Sequence, residues 1–279
     1  MTFRTILTVT GPDQEFDDLR HAADMCESAG AHLAVLVVGM ASPPPVGLYT
    51  AAVVSDAWVQ ERGNDEKRVA DRARAITEFL ASKRISSDVA TAFTEVAFAD
   101  EAIGRRARYA DLTVLGPETL GSEELGPKAL EGALFASGRP LLILPKDANA
   151  TLNPKRVVIG WDARVEAARA VREALQILVA AEDVRLLLVD PREGENGHGA
   201  EPGADAARYL ARHGVKTTVE RLPSLGKPVA DIIRRYTRDV GADMLVMGAY
   251  GHSRMREKIF GGVTRSMLEA PALPTFLAR

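Results

Sequence analysis

The chain repeats itself, and that constrains its fold more than any other feature. Arg4-Thr5-Ile6-Leu7-Thr8-Val9-Thr10 matches Arg156-Val157-Val158-Ile159-Gly160-Trp161-Asp162. Residues 110–116 (ADLTVLG) match 242–248 (ADMLVMG), and Pro140-Leu141-Leu142-Ile143-Leu144 matches Pro274-Thr275-Phe276-Leu277-Ala278. The three matches keep one order, so the chain reads as two copies of one domain. Its 279 residues suffice for two domains of about 100–150 residues, each with its own core. Residues 147–154 (DANATLNP) are polar and end in proline, as a linker does. The expected domains are therefore 1–148 and 155–279.

Within each half, apolar strands alternate with helical patterns. In the second half the spacing predicts strands near 156–161, 184–189, 215–221, 244–247 and 274–278. Helices are predicted near 165–181, 204–213, 228–240 and 263–270. Val229, Ile232, Ile233, Tyr236 and Val240 recur at helical spacing, which makes that helix amphipathic. Short apolar strands between such helices predict an α/β fold, a parallel sheet covered on both faces. Ligands of such sheets bind beyond the strands' carboxyl ends, near the point where strand order reverses. The first half carries an insertion after its second strand, beginning Ser42-Pro43-Pro44-Pro45-Val46-Gly47, which reads as a loop packed on its own domain or as a lid or partner surface.

Composition excludes several classes of function. Apolar residues are 46% and charged residues 26%, as in ordinary globular proteins, and a net charge of −3 offers no electrostatic case for nucleic acid. The single cysteine, Cys26, rules out an intramolecular disulfide and a cysteine-rich metal site, and its helical context points to core packing. The chain starts Met1-Thr2-Phe3-Arg4-Thr5-Ile6 with no signal-peptide layout, and no apolar run approaches the roughly 20 residues of a membrane span. A cytoplasmic protein with no membrane partner is expected.

The stretch from Met247 to Leu268, MGAYGHSRMREKIFGGVTRSML, carries the chemistry. Gly248 and Gly251 follow a strand end, nine residues intervene, and Gly261-Gly262 open a helical run through Val263 and Thr264. Glycines at a strand end let backbone N–H groups approach an anion, and a helix start adds free donors. Two ordinary turns would use the same glycines. The Gly-x2-Gly-x9-Gly pattern resembles the ATP-binding signature of the universal stress protein family. Gly262 departs from it, standing where the family usually has Ser or Thr.

That resemblance extends over essentially the whole chain. It implies two tandem Rossmann-like domains, each a five-stranded parallel sheet with helices on both faces. It further implies ATP, with Mg²⁺ accompanying it, held by Met247, Gly248, Gly251, His252, Arg254, Gly261, Gly262, Val263 and Thr264. Asp162 would contact the adenosine end, with N-cap of the helix from Val165 as its competing role, and Val189 would hydrogen-bond adenine through its backbone. The two domains would pair through their last strands, and a homodimer is open. His252 has no partners for catalysis, and His21, His32, His198 and His213 form no ligand motif. Gly194, Gly197 and Gly199 open no helix, and no P-loop segment exists.

The halves differ in these signatures. Gly248-Ala249-Tyr250-Gly251 faces Gly116-Pro117-Glu118-Thr119, and Gly261-Gly262-Val263 faces Pro127-Lys128-Ala129. Glu118, Glu123 and Glu124 stand in the first loop, where the second has Arg254, Arg256 and Lys258. Thr10 is aligned with Asp162. The first domain is expected to be a degenerate copy that binds no nucleotide. The reading is a stress-response protein acting through nucleotide-dependent conformation or association, with no catalytic residue assigned. Its alternatives are a non-nucleotide-binding interaction module of the same fold, and an adenylate-forming or slowly ATP-hydrolysing enzyme.

Overall fold

The structure is a computed structural model that describes residues 3–41, 56–146, 151–194, 200–249, 262–269 and 271–279. The Pro43–Pro45 segment and Gly251, His252, Arg254 and Gly261 lie outside the described residues. The chain divides into two compact units, Phe3–Arg139 and Pro140–Arg279.

In Phe3–Arg139 the strands are β1 (Thr5–Thr10), β2 (His32–Ala41), β3 (Ser87–Glu95) and β4 (Leu112–Leu115). All neighbours are parallel, in the order β3-β2-β1-β4. The helices are α1 (Asp17–Ala29), α2 (Asp56–Ala81), α3 (Ala99–Ala107), α4 (Pro117–Gly121) and α5 (Leu125–Glu131). Ile6, Leu7, Leu33, Val35, Val37 and Leu112 are fully buried, as strands covered on both faces require. α1 stops at Gly30, whose left-handed φ of 62° lets its N–H reach back to Cys26 and Glu27. Cys26 is buried on that helix, and desolvation pushes its thiol up to about 12, so it is core packing rather than a reactive group.

In Pro140–Arg279 the strands are β5 (Leu141–Ile143), β6 (Arg156–Gly160), β7 (Asp183–Val189), β8 (Thr217–Leu222), β9 (Met244–Gly248) and β10 (Thr275–Ala278). The helices are α6 (Val165–Glu173), α7 (Leu175–Ala180), α8 (Ala204–Arg212), α9 (Val229–Asp239) and α10 (Gly262–Glu269). The five strands β10-β9-β6-β7-β8 are parallel. β5, the last strand of the first sequence half, adds to β10 in antiparallel register, Phe276 facing Leu142. Strand order runs outward from β6 to β7 and β8, then returns to β9 and β10. Because such crossovers are right-handed, the helices of the two directions cover opposite faces, and a crevice opens between the carboxyl ends of β6 and β9. Among the described residues no helix is long and apolar enough to cross a membrane.

Two sequence expectations are corrected. The single helix expected over 165–181 is interrupted at Ala174, whose ψ of 0° breaks the turn between α6 and α7. No glycine or proline marks that position. The second correction concerns register. Ile6 pairs with Leu112 as Val157 pairs with Met244, so Ile6 corresponds to Val157. The repeat is therefore offset by one from the alignment on Arg4 and Arg156, and Gly11, not Thr10, stands where the second half has Asp162. Aspartates report the same equivalence. Asp111 accepts the N–H groups of Arg4 and Thr5 at 2.7 and 3.0 Å, and Asp243 accepts those of Lys155 and Arg156 at 2.9 and 2.8 Å.

Candidate functional site

A cleft of about 180 Å³ opens at the carboxyl ends of β6, β7 and β9. Leu187, Val189, Val229, Ile233, Met247 and Val263 supply apolar walls, while Asp162, Arg164 and Glu166 put charge at one side. Gly248, Gly262 and Thr264 complete it. Asp162, Val189, Met247, Gly248, Gly262, Val263 and Thr264, scattered over a hundred residues of sequence, thus line one crevice. Trp161 lines the mouth beside Asp162, and reasoning from sequence passed over Arg164, Glu166, Leu187, Val229 and Ile233. Val229 and Ile233 carry only a core-helix signal, and the other three have no motif.

Asp162 is exposed and leaves its strand through Ala163, a non-glycine residue with a left-handed φ of 60°. Such a conformation costs about 1–2 kcal/mol. It aims the Asp162 carboxylate at the Arg164 backbone N–H, 3.1 Å away, with the Arg164 guanidinium 3.7 Å from the other oxygen. The N-cap of α6 is Arg164, with no side-chain capping bond, so Asp162 is a turn residue preceding the cap rather than the cap itself. Its carboxylate remains accessible from the cleft.

The two described glycines do different things. A Cβ on Gly248 would come within 2.5 Å of the Ala167 backbone nitrogen and 2.6 Å of the Glu166 carbonyl carbon. Its missing side chain is consumed by the close approach of β9 to the first turn of α6. Gly262 has nothing within 4 Å of where a Cβ would stand, and it opens α10 toward the cleft. α10 is held by Arg234 of α9, which donates to the Ser266 carbonyl and pairs with Asp231 at 3.0 Å.

The corresponding place in Phe3–Arg139 is filled by the chain itself. Gly116, the counterpart of Gly248, abuts the Asp18 carboxylate. Asp18 accepts the Thr119 N–H at 2.9 Å and the Glu118 N–H at 3.2 Å, while Glu118 Oε1 accepts the Asp17 N–H at 3.1 Å. Burial pushes the Asp18 carboxyl above the ordinary range, against the lowering pull of those N–H bonds, and burial raises Glu118 likewise. Gln14 Oε1 accepts the Gly11 N–H at 2.8 Å and the Thr10 hydroxyl at 3.0 Å, and Thr119 donates to the Val9 carbonyl at 2.8 Å. Glu123 and Glu124 are exposed and line a separate cleft with Asp13 and Arg68. The donors after β4 are thus taken by Asp18, a residue that sequence comparison did not single out.

The sequence model of the universal stress protein family matches residues 153–279. By that match, residues 153–279 are a universal stress protein domain. A curated universal stress protein of Synechocystis sp. is 35% identical over 74 residues, which is 26% of this chain and 25% of the relative. The match therefore spans a quarter of that relative's length. A universal stress protein from Archaeoglobus fulgidus superposes with a TM-score of 0.65 at 17% identity, covering 98% of this chain and 96% of that one. A protein of unknown function from Pseudomonas aeruginosa gives 0.56 at 15% identity, over 99% and 92%. At such identities the two structures establish the shared fold. The cleft described above lies wholly inside the universal stress protein half, on the residues that close its β6 and β9 ends.

Proposed function

We propose that the universal stress protein half binds one adenine nucleotide, ATP carried in with Mg²⁺, in the cleft at the ends of β6, β7 and β9. Family membership supports a role in the stress response, exerted through a nucleotide-dependent change of conformation or association. The observation that carries the reading is the convergence of Asp162, Val189, Met247, Gly262 and Val263 on one crevice at the topological switch.

The cleft's chemistry fits the ligand in parts. Its volume is below the roughly 300–1,000 Å³ of pockets that engulf a whole ligand, so it suits the base and ribose. Apolar Val189, Leu187, Val229 and Ile233 match a flat base, and the exposed Asp162 matches a donor on the sugar. The Asp162 and Glu166 carboxylates disfavour phosphate beside them, whereas Gly262 leaves open space at the start of α10, where helix N–H groups favour it. Among the described residues no acidic or histidine cluster could hold a metal, so Mg²⁺ would be ligated through the phosphates it accompanies.

Calorimetric titration of the full chain with Mg-ATP is the test. One site per chain is expected, and Gly262→Asp should remove it while far-UV circular dichroism stays unchanged. Two sites, or undiminished binding by a folded Gly262→Asp protein, would overturn the assignment. No binding of any adenine nucleotide would favour the interaction-module reading.

A further inference from the structure

Three side chains of the first unit meet at the amino ends of its strands β2 and β3. Leu33 is registered with Ser87 in the parallel ladder, so His32 and Ser86 are neighbours at the amino ends of β2 and β3. Ser86 immediately precedes β3, two residues before Asp88. His32 bridges them, with Nδ1 2.8 Å from Ser86 Oγ and Nε2 2.7 Å from Asp88 Oδ1. An ionised carboxylate can only accept, so Nε2 carries the imidazole proton and Nδ1 presents its lone pair to the Ser86 hydroxyl. That is the polarity a general base needs beside a nucleophile. The backbone fixes the arrangement, because Leu33 N–H donates to the Ser86 carbonyl at 2.9 Å and His32 N–H to the Arg4 carbonyl at 2.8 Å. Arg106 of α3 pairs with the second oxygen of Asp88 and holds its orientation.

We infer that Ser86, His32 and Asp88 form a serine nucleophile, base and positioning carboxylate for acyl transfer from small activated esters, independent of the nucleotide cleft. Ser86 Oγ forms a bond to the acyl carbon as its proton passes to His32 Nδ1. The C–O bond to the leaving group then breaks, and the departing oxygen takes that proton. Water hydrolyses the acyl-serine, giving its own proton to His32 and regenerating the hydroxyl. Ser86 is open to solvent and lines neither of the two clefts, so no wall selects a large substrate. The class is therefore esters with phenol-like leaving groups, which demand the least stabilisation.

An alkyl fluorophosphonate tests this on the full chain, because it forms an O–P bond with an activated serine and expels fluoride, the serine proton leaving through His32. Peptide mapping by mass spectrometry should find one adduct, on Ser86, and none in Ser86→Ala, an exposed substitution the fold tolerates. His32→Gln should slow adduct formation roughly 10²-fold, the size of a general-base contribution, and Asp88→Asn less. An unlabelled Ser86 in folded wild-type protein, or a folded His32→Gln protein labelled at the wild-type rate, would overturn the inference.

Discussion

The Thr119 backbone N–H donates to the Asp18 carboxylate at 2.9 Å, so an aspartate of α1 occupies the donors that open α4. The first unit has in effect bound an anion of its own. Asp18 is the second residue of α1, as Glu166 is of α6, and each lies against the glycine that ends the neighbouring strand. A carboxylate one carbon shorter reaches the donors in one half. In the other it lines a cleft.

Asp18 makes stability depend on pH in an unusual direction. Its folded pKa lies above the unfolded value, so the folded state holds the proton longer and stability falls as pH rises from the ordinary carboxylate range through the folded pKa. Glu118 acts in the same sense. Asp18→Asn cannot ionise and should flatten that part of the curve, whereas Asp18→Ala leaves two N–H groups without their acceptor and should cost about 1–3 kcal/mol. Urea denaturation between pH 4 and 8 distinguishes them. A wild-type curve that falls no more steeply than that of Asp18→Asn across the window would refute the assignment.

Gly248 and Gly262 should respond oppositely to substitution. Gly248→Ala drives a Cβ into the backbone of Glu166 and Ala167, which cannot yield as a side chain would, and should destabilise by about 1–3 kcal/mol or more. Gly262→Ala meets nothing and should leave the melting temperature near that of wild type. Thermal unfolding of the two variants reads both outcomes, and equal stability would show that β9 and α6 are not in close contact.

Asp162 and Glu166 share the cleft but differ in expected effect on the nucleotide. Asp162→Ala removes a hydrogen bond to charge worth about 1.5–3 kcal/mol, roughly ten- to a hundredfold in affinity. Glu166→Gln removes a repulsive charge and should tighten binding by about 1 kcal/mol, near fivefold. In a Trp58→Phe background, Trp161 lines the cleft and reports both titrations by fluorescence. If neither variant shifts the curve, the base and sugar lie elsewhere.

β10 is paired on both sides, by β9 and by β5. A fragment of residues 155–279 loses β5 and exposes the edge of β10, whose Phe276 and Leu277 are fully buried in the intact chain. Such an edge invites self-pairing, so the fragment should sediment as a dimer or larger species. A strictly monomeric fragment would mean that β5 protects nothing.

The sequence by itself determined the duplication, the alternation of strands and helices, and the glycine-rich segment after β9, because each is written in local periodicity or in residues without side chains. Gly262 stood out as a residue without a side chain, whereas Asp162 and Val263 were named through the resemblance to the universal stress protein family. Only the tertiary structure decided the rest. Aligning Arg4 with Arg156 gives Thr10 as the counterpart of Asp162, whereas hydrogen-bond register makes it Gly11; a one-residue slip turns every side chain to the other face of the sheet. Glu118, Glu123 and Glu124 look like the groups that close the first unit, yet Asp18, a hundred residues away, holds its donors. His32 shows no motif because its partners Ser86 and Asp88 lie more than fifty residues away, at the start of another strand. Periodicity is carried by neighbours in the chain, but the occupant of a hydrogen-bond donor is chosen by whichever group the packed fold brings within three ångströms of it.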